Sequence, residues 1–293
     1  MNILCARKIM KKMKNNYIIE RMTKKEVQLA IDWAAREGWN PGLYDGDCFY
    51  QTDPHGFFAG KLNGNTIAIG SAVIYDDQFA FCGFYIVDKA YRNQGYGLAL
   101  TKERLAYIGQ RNAGIDGVVN MLDKYSRLGY QIAHNNARYE SKAFYSATQN
   151  KAIVPLTKID FDHLVHYDRR HFPALRPTFL RCWINQPQGK SLGYMNHGQL
   201  QGYGIIRSCQ QGFKIGPLFA DTPDIAQELF LNLANHAHGQ PIYLDIPENN
   251  PDAIHLVQHY QFKKVFETAR MYLKGQPQIE LNHIYGITSF ELG

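Results

Sequence analysis

The stretch YRNQGYGLAL, residues 91–100, decides the fold, because it joins an apolar strand to a helix through a glycine-containing turn. The preceding segment FAFCGFYIV, residues 79–87, is predicted as the strand, and apolar residues at helical spacing follow from about residue 95. Gly95 and Gly97 carry no Cβ, so the backbone amides at the helix start are open to an approaching group. The positive end of the helix dipole adds to this attraction, and the turn is therefore predicted to bind a diphosphate.

Two other classes of glycine-rich turn do not fit these residues. Phosphate loops of nucleotidases end in Gly-Lys-Ser/Thr, and dinucleotide-binding turns need a third glycine and an acid about twenty residues later. Neither pattern is present. The pattern Arg-x-x-Gly-x-Gly after a strand ending at Val87 resembles the acetyl-CoA pyrophosphate loop of the GNAT superfamily of acyl-CoA N-acyltransferases. A strand at 115–119, a helix carrying Tyr125 and the triplet 128–130 follow in the order and spacing of that family.

The length of 293 residues predicts two domains of about 140 residues each. We expect a basic, disordered leader (1–16), a first GNAT-like unit (17–146), a second unit (151–275) and a tail (276–293). The fold class predicted is α/β, a mixed sheet with flanking helices in each of two tandem GNAT-like domains. The strand 262–273 is expected to close the sheet of the second unit. Segments 39–42, 53–57, 214–218, 244–250 and 269–272 resemble a bacterial subgroup of tandem GNAT proteins.

The second unit differs from the first where the diphosphate turn should lie. It has Phe219-Ala220-Asp221-Thr222-Pro223-Asp224, and the two aspartates place negative charge at the start of the helix. These carboxylates satisfy the free amides themselves and repel a diphosphate. The second unit is therefore predicted to have no CoA site and to build or close the acceptor pocket.

The resemblance implies roles for a contiguous set of residues. The strand amides at 85–87 hold the pantetheine arm and polarise the thioester carbonyl, and the turn binds the diphosphate, with Arg92 either contacting phosphate or remaining an ordinary surface arginine. The cofactor-binding residues predicted in this way are Tyr85, Ile86, Val87, Arg92, Asn93, Gln94, Gly95, Tyr96 and Gly97.

Tyr125 is predicted to be the acid that protonates the leaving thiolate, since it stands before Gly129-Tyr130 as the catalytic tyrosine of the family stands before its Gly-Phe pair. A phenol and a thiol have comparable pKa values, which suits this proton transfer. The alternative is an aromatic ring that only packs on the helix. Many relatives carry an asparagine seven residues earlier, where this chain has Val118, and Asn120 is expected to face elsewhere.

The general base stays open, because relatives also remove the amine proton through ordered water. Asp116 is one candidate, and acids near Trp39 could hold a cationic amine, although solvated or turn-capping roles are the alternative for each. The acceptor-site residues predicted are Trp39, Asp45, Asp47, Asp53 and Glu248. The function expected is acetyl transfer from acetyl-CoA to a primary amine of a small molecule in a ternary complex. Acylation of a protein or peptide, and a non-catalytic acetyl-CoA sensor, are the alternatives.

Composition limits the partners. The net charge is +6, but the leader alone carries five basic residues and no acid, so the remaining chain is nearly neutral and nucleic acid is not an expected partner. Apolar runs are too short for a membrane span, and five scattered cysteines favour a reducing, cytoplasmic location without a disulfide framework. Histidine pairs lack the partners of a zinc site, so no metal is expected. The protein is predicted to be a monomer or homodimer.

Overall fold

The computed structural model describes residues 16–141 and 150–293, which we call the first half and the second half. The first half contains β1 (Tyr17–Arg21), α1 (Lys24–Arg36), α2 (Asp45–Thr52), β2 (Phe57–Leu62), β3 (Asn65–Ser71), β4 (Val73–Ile74), β5 (Phe79–Phe81), β6 (Ile86–Val87), α3 (Tyr96–Ile108), β7 (Asn112–Val118), α4 (Leu122–Ser126) and β8 (Gln131–Ser141). The second half contains β9 (Ile153–Pro155), α5 (Phe161–Arg169), α6 (Pro177–Trp183), β10 (Lys190–Asn196), β11 (Gln199–Ser208), β12 (Phe213–Ala220), α7 (Pro223–Ala234), β13 (Ile242–Pro247), α8 (Pro251–His259), β14 (Lys263–Tyr272) and β15 (Ile284–Gly286). Apart from Asn16, the predicted leader lies outside the described residues.

Local sequence explains where the helices begin. Thr23 caps α1 through a reciprocal pair of bonds, in which the Glu26 amide donates to the Thr23 hydroxyl and the Thr23 amide donates to the Glu26 carboxylate at 2.8 Å. The apolar residues of α1 recur at helical spacing and are buried against the sheet. In the second half, α7 begins at Pro223 after Thr222, whose hydroxyl accepts from the amide of Ile225. Side-chain caps thus satisfy backbone amides at the start of both helices.

Strand β14 joins the two halves into one sheet. The larger sheet has the order β4-β5-β7-β14-β8-β13-β12-β11-β10-β9, with β15 on β12, and the smaller sheet has the order β1-β2-β3-β6. The prediction that residues 262–273 close the sheet of the second unit is therefore wrong, because β14 lies antiparallel between β7 and β8 of the first half. Spacing along the chain predicted the strand but carried no information about its distant partners.

Three buried ion pairs also cross between the halves. Arg138 donates two bonds to Asp245 at 2.6 and 2.7 Å, and Arg270 donates two to Asp116 at 2.9 and 2.8 Å. The third pair, formed by Arg207 and Asp45, is described with the site below. Removing one partner of such a pair would leave an uncompensated buried charge, which costs about 3–5 kcal/mol. The halves are consequently held by charge as well as by the shared sheet.

The cysteines depart from expectation. Cys48 on α2 and Cys182 on α6 form a disulfide across the two halves, whereas Cys82 and Cys209 are free and buried. The sequence favoured reduced cysteines over a disulfide framework and did not predict this bond, because the fold brings together two helices that are far apart in the sequence. None of the described helices is long and apolar enough to cross a membrane.

The last residues of the second half are packed into the molecule. Strand β15 pairs with β12, and Ile284, Ile287 and Leu292 are buried in the main core. The residues that follow β15, from 287 to 293, form what we call the closing segment. The stretch predicted only as a tail therefore contributes a strand and part of the core.

Candidate active site

The strand predicted for residues 79–87 divides in two. Strand β5 pairs in parallel with β7 over three residues, and the chain then crosses so that β6 pairs with β3. Phe84, between them, has a positive φ of 47°, which bulky residues rarely adopt. The prediction of one continuous strand is therefore wrong, because the backbone passes from the larger sheet to the smaller sheet here. As a result β6 and β7 diverge and leave a wedge between them.

This wedge is the mouth of a cleft with a volume of about 1510 Å³. Arg104 of α3 braces one wall, since its side chain donates to the carbonyls of Ser71 at 2.7 Å and Gly83 at 3.2 Å. Sequence analysis missed this arginine. A buried arginine on a helix that follows a phosphate-binding turn could have indicated it.

The turn before α3 presents unsatisfied amides to the cleft. Gly95 is the N-cap, has a φ of 93° and offers no side-chain cap. Asn93 also has a positive φ of 61°, and no acceptor among the described residues bonds the amides of residues 93–95. At Gly97 a Cβ would lie 2.2 Å from the Tyr85 hydroxyl oxygen, so any larger residue would require the Tyr85 side chain to move. The turn has the geometry of an anion-binding site.

Most of the predicted cofactor-binding residues line the cleft, namely Tyr85, Ile86, Val87, Arg92, Asn93, Gly95 and Gly97. The other two lie beside it. The Gln94 side chain donates to the carbonyl of Ala90 at 2.9 Å, and the Tyr96 ring packs against Tyr17 with centroids 4.8 Å apart.

Arg92 is already engaged by the protein. Its Nε donates to the carbonyl of Val87 at 2.8 Å, and its Nη2 lies 2.7 Å from Glu37. The guanidinium therefore braces the turn against the end of β6. To contact a phosphate directly, Arg92 would also have to orient part of its guanidinium group toward the loop at residues 93–95.

Tyr125 lies in the same cleft, with its ring over Gly117 of β7, where a Cβ would be 2.9 Å from the ring. Burial raises the pKa of Tyr125 to about 12, against a smaller opposing effect from Arg104. No group in the described ranges hydrogen-bonds its hydroxyl, which leaves the proton available. Val118 and Asn120 both line the cleft, so the expectation that Asn120 faces elsewhere is corrected.

The structure does not bring the four predicted acceptor-site acids into the cleft. Asp45 is fully buried and accepts from Arg207 at 2.9 Å, from the Gly42 amide at 2.9 Å and from Gln186 at 3.1 Å. Asp53 accepts from the amide of Ile74 and from the hydroxyl of Tyr107, both at 2.9 Å. These two acids serve the fold, because their oxygens are occupied by neighbours.

The other two predicted acids are partly exposed surface groups. Asp47 pairs with Lys24 at 2.9 Å, and Glu248 pairs with Lys264 at 3.1 Å. Only Trp39, of the predicted acceptor residues, lines the cleft, and its carbonyl accepts from Arg138. The acid-rich insert was a plausible prediction from composition, but its charges point to partners within the protein.

Four carboxylates line the cleft, and three of them are paired. Glu37 pairs with Arg92, Glu267 pairs with Lys264 at 2.8 Å, and Asp116 is bonded by Arg270 and by Asn136 at 2.8 Å. Burial raises the pKa of Asp116, with Arg270 as the main opposing effect. Asp116, a candidate base from the sequence, is therefore held in an ion pair.

The fourth carboxylate belongs to Glu291, which sequence analysis missed. Glu291 and Phe290 reach the cleft from the closing segment, and Thr268 reaches it from β14. The signal available in the sequence was the short apolar run IYGI at 284–287, which predicts a buried strand in a stretch treated as a tail. Without the position of that strand, its neighbours could not be assigned to the cleft.

The second half has no comparable opening. Strand β12 also pairs in parallel with β13 over three residues before the two diverge. The gap is then filled by β15, which pairs with Leu218 and Phe219, while the amide of Ile287 donates to the carbonyl of Asp245 at 2.8 Å. The helix start that follows is capped by Thr222. The chain itself thus occupies the place that corresponds to the wedge of the first half.

Among the described residues, His171, Glu280 and His283 bring potential metal ligands within 4.8 Å of one another. Glu280 already accepts from Arg170 at 2.6 Å and lies 2.8 Å from Nδ1 of His283. A cation would have to displace the guanidinium of Arg170, so the cluster is described as an ion-pair network.

These features define an acyltransferase fold with one binding turn. Residues 25–127 match a family model described as the acetyltransferase (GNAT) family, and residues 164–286 match one described as an acetyltransferase (GNAT) domain. The chain belongs to the GNAT family as a tandem protein, and it is an acyl-CoA N-acyltransferase.

Relatives and solved structures agree with this assignment. The chain is similar to the holothin acyltransferase of Pseudoalteromonas sp. (strain SANK 73390), at 28% identity over 270 residues and 92% of each chain. It is also similar to the uncharacterized N-acetyltransferase YitH of Bacillus subtilis (strain 168), at 24% identity over 72% of this chain and 76% of that protein. The fold matches a putative acetyltransferase from Pyrococcus horikoshii with a TM-score of 0.81, 21% identity and coverage of 95% and 96%. A tandem GNAT protein from the clavulanic acid biosynthesis pathway matches with a TM-score of 0.62, 13% identity and coverage of 87% and 98%.

Proposed function

We propose that the protein transfers an acetyl group from acetyl-CoA to the primary amine of a small molecule, by direct attack within a ternary complex. The observation that carries this proposal is that the open turn before α3 and Tyr125 line one cleft, whose far end is walled by the second half. A turn without Tyr125 would suit a sensor, whereas both together suit turnover.

The residues of the cleft fit a CoA thioester. The free amides of residues 93–95 and the dipole of α3 suit its diphosphate, and the unpaired edge of β6 suits the amide groups of its pantetheine arm. Bound acetyl-CoA would supply an electrophilic carbonyl carbon with a thiolate leaving group. The residues near Phe84 would direct backbone amides toward the oxygen that becomes negative during attack.

Tyr125 would act on the leaving group. As the new N–C bond forms and the C–S bond breaks, the phenol would donate its proton to the sulfur. With a pKa of about 12 the phenol stays protonated throughout the physiological range, and it is a weaker acid than an exposed tyrosine. Tyr125 would then aid the reaction by its position and not by its acidity, because a proton donor held beside the sulfur allows CoA to leave as the thiol.

A small acceptor is favoured over a peptide by the wall that the second half builds. Phe266 of β14 and Phe290 of the closing segment line the cleft, so two separate parts of the second half bound it. A peptide would need an open groove. The relative named for acyl transfer to holothin supports acyl transfer by this arrangement of domains.

The location and assembly stay predictions. A cytoplasmic location followed from the composition, but the disulfide between Cys48 and Cys182 argues against it, since disulfides are rare in that compartment. We propose no partner other than the acceptor, and a monomer or homodimer is equally compatible with the fold.

The proposal is tested by a thiol-release screen of acetyl-CoA against amino acids, polyamines, arylalkylamines and peptides with a free terminus or lysine. We expect release of CoA with small primary amines, and mass spectrometry should show acetylation on nitrogen. Turnover with peptides alone would favour protein acylation, and tight binding of acetyl-CoA without turnover of any amine would favour the sensor.

A further inference from the structure

The closing segment links the filled gap of the second half to the open cleft of the first. After β15 it passes Asp245, and it ends where the Tyr75 hydroxyl donates to the carbonyl of Leu292 at 2.9 Å. Along this path the backbone of Glu291 lies so close to Gly83 that a Cβ on that glycine would be 1.9 Å from the Glu291 carbonyl oxygen. Gly83 directly precedes the backbone crossing at Phe84. Glu291 is therefore anchored beside the point where β6 and β7 diverge.

The side chain of Glu291 is buried without a partner. The residue is 1% exposed, and neither carboxylate oxygen has a hydrogen-bond partner within residues 16–141 and 150–293. The Thr268 hydroxyl, which also lines the cleft, is likewise buried and unpartnered in that part of the chain. Buried polar groups normally find partners, because leaving a donor or acceptor unsatisfied costs about 1–3 kcal/mol. The Glu291 carboxylate therefore has room for a hydrogen-bond donor that the described residues do not supply.

Charged residues from five elements surround Glu291. Cations approach it as Arg138 on β8, Lys214 on β12 and Arg207 on β11, and anions as Asp245 on β13 and Asp45 on α2. Burial raises the pKa of Glu291, while Lys214 and Arg138 oppose that change. Three cations and two other anions thus lie near Glu291, and the cations partly offset the cost that burial imposes on an ionised carboxylate.

We propose that Glu291 binds the ammonium group of the acceptor and takes up its proton, which makes it the catalytic base of the reaction. This inference rests on the proposed function. The carboxylate would accept one proton from the ammonium and so free the nitrogen lone pair. The nitrogen would then bond to the thioester carbon as the C–S bond breaks, and Tyr125 would protonate the sulfur. The second proton of the nitrogen would pass to the Tyr125 oxygen and restore the phenol, and Glu291 would release its proton to solvent.

The same site indicates the class of acceptor. Trp39, Phe266 and Phe290 line the same cleft with aromatic surface, and Thr268 adds one hydroxyl. A primary ammonium on a short chain that ends in an apolar or aromatic group would satisfy both the charge and the rings. Amines that carry a carboxylate beside the amino group would bring a second negative charge to Glu291 and should be poor acceptors.

The experiment uses 2-phenylethylamine as the probe and 2-phenylethanol as its neutral analogue, with the full chain. In wild-type protein saturated with CoA, we expect calorimetry to show at least tenfold tighter binding of the amine than of the alcohol. Glu291→Gln should remove that preference and lower kcat/KM for the amine at least 100-fold, with unchanged affinity for acetyl-CoA. Its residual rate should rise with pH as the free amine accumulates. The matched control is Glu228→Gln, which alters a carboxylate with an unpartnered oxygen on α7, away from the cleft.

Retention of the amine preference and of kcat/KM within threefold in Glu291→Gln would overturn the proposal. Loss of thermal stability with the preference intact would also overturn it, because Glu291 would then only balance the buried cations. Should Glu291→Gln fail to fold, Glu291→Asp decides: a retained preference with kcat at least tenfold lower supports the proposal, and an unchanged kcat contradicts it. If no amine is acetylated by wild-type protein, the proposed function fails, while the binding preference still tests Glu291.

Discussion

The two halves of the molecule treat the same structural gap in opposite ways. In the first half β5 and β7 pair over three residues and then diverge, and the wedge stays open beneath an uncapped turn. In the second half β12 and β13 pair over three residues and diverge, but β15 fills the gap and Thr222 caps the helix. The comparison shows that the same fold can leave backbone amides free in one half and satisfy them with its own chain in the other.

The filled half still contributes to the open one. The strand that fills the second gap leads directly into the closing segment, which brings Phe290 and Glu291 to the first cleft. The second half also supplies β14, with Phe266 and Thr268, to the centre of the first sheet. The half whose own gap is filled therefore forms part of the wall of the cleft in the other half.

The largest effect is expected from separating the halves. A chain that ends at residue 141 loses β14, so β7 and β8 lose the strand that pairs with both, and Asp116 loses Arg270. We expect this fragment to be unfolded or insoluble, as judged by far-ultraviolet circular dichroism and limited proteolysis. A folded fragment that binds acetyl-CoA would show that the halves are independent.

The next largest effect concerns Tyr125. Tyr125→Phe keeps the ring and removes the proton donor, and kcat should fall about 100-fold, or about 2.7 kcal/mol, with little change in acetyl-CoA affinity. Because the pKa of Tyr125 is raised to about 12, ionisation of this residue should cause no loss of wild-type rate up to pH 10. Tyr194→Phe on β10 serves as the control. An equal loss of acetyl-CoA binding would mean that Tyr125 only packs.

A smaller effect is expected at the turn. Gly95→Val places a Cβ at a φ of 93° and among the free amides, and acetyl-CoA binding should weaken at least tenfold, or about 1.4 kcal/mol. Gly64→Val is a matched control, because Gly64 also has a positive φ, of 81°, with open space around it. Both variants should lose similar stability. Equal affinities of the two variants for acetyl-CoA would contradict the assignment of the turn.

The smallest effect concerns two buried histidines. Burial lowers the pKa of His134 to about 3 and that of His171 to about 4, from an ordinary value of 6.5. The unfolded chain therefore binds protons below pH 6.5 that the folded protein cannot, so stability is full above pH 6.5 and falls toward pH 4. Between pH 7 and pH 6 each histidine should remove about 0.7 kcal/mol. The free energy of unfolding, measured by chemical denaturation, should depend less on pH in His171→Gln than in wild type. The exposed control His163→Gln should show the wild-type pH dependence.

The turn and Tyr125 could be predicted from the sequence because the patterns that indicate them consist of residues close together in the chain. Gly95 and Gly97 reveal an open turn without knowledge of any distant partner. Asp45 was misassigned because its partner, Arg207, lies 162 residues away. Glu291 was missed for the same reason, since only the path of the closing segment places it beside Gly83. Local patterns thus predicted one wall of the site, and long-range pairing determines the other.

The most direct test of the contrast between the halves is the number of acetyl-CoA molecules bound per chain. Isothermal titration of the full protein with acetyl-CoA should give one site, because β15 fills the second gap and Thr222 caps the second helix. A stoichiometry of two per chain, or one site that is unaffected by Gly95→Val, would contradict the account.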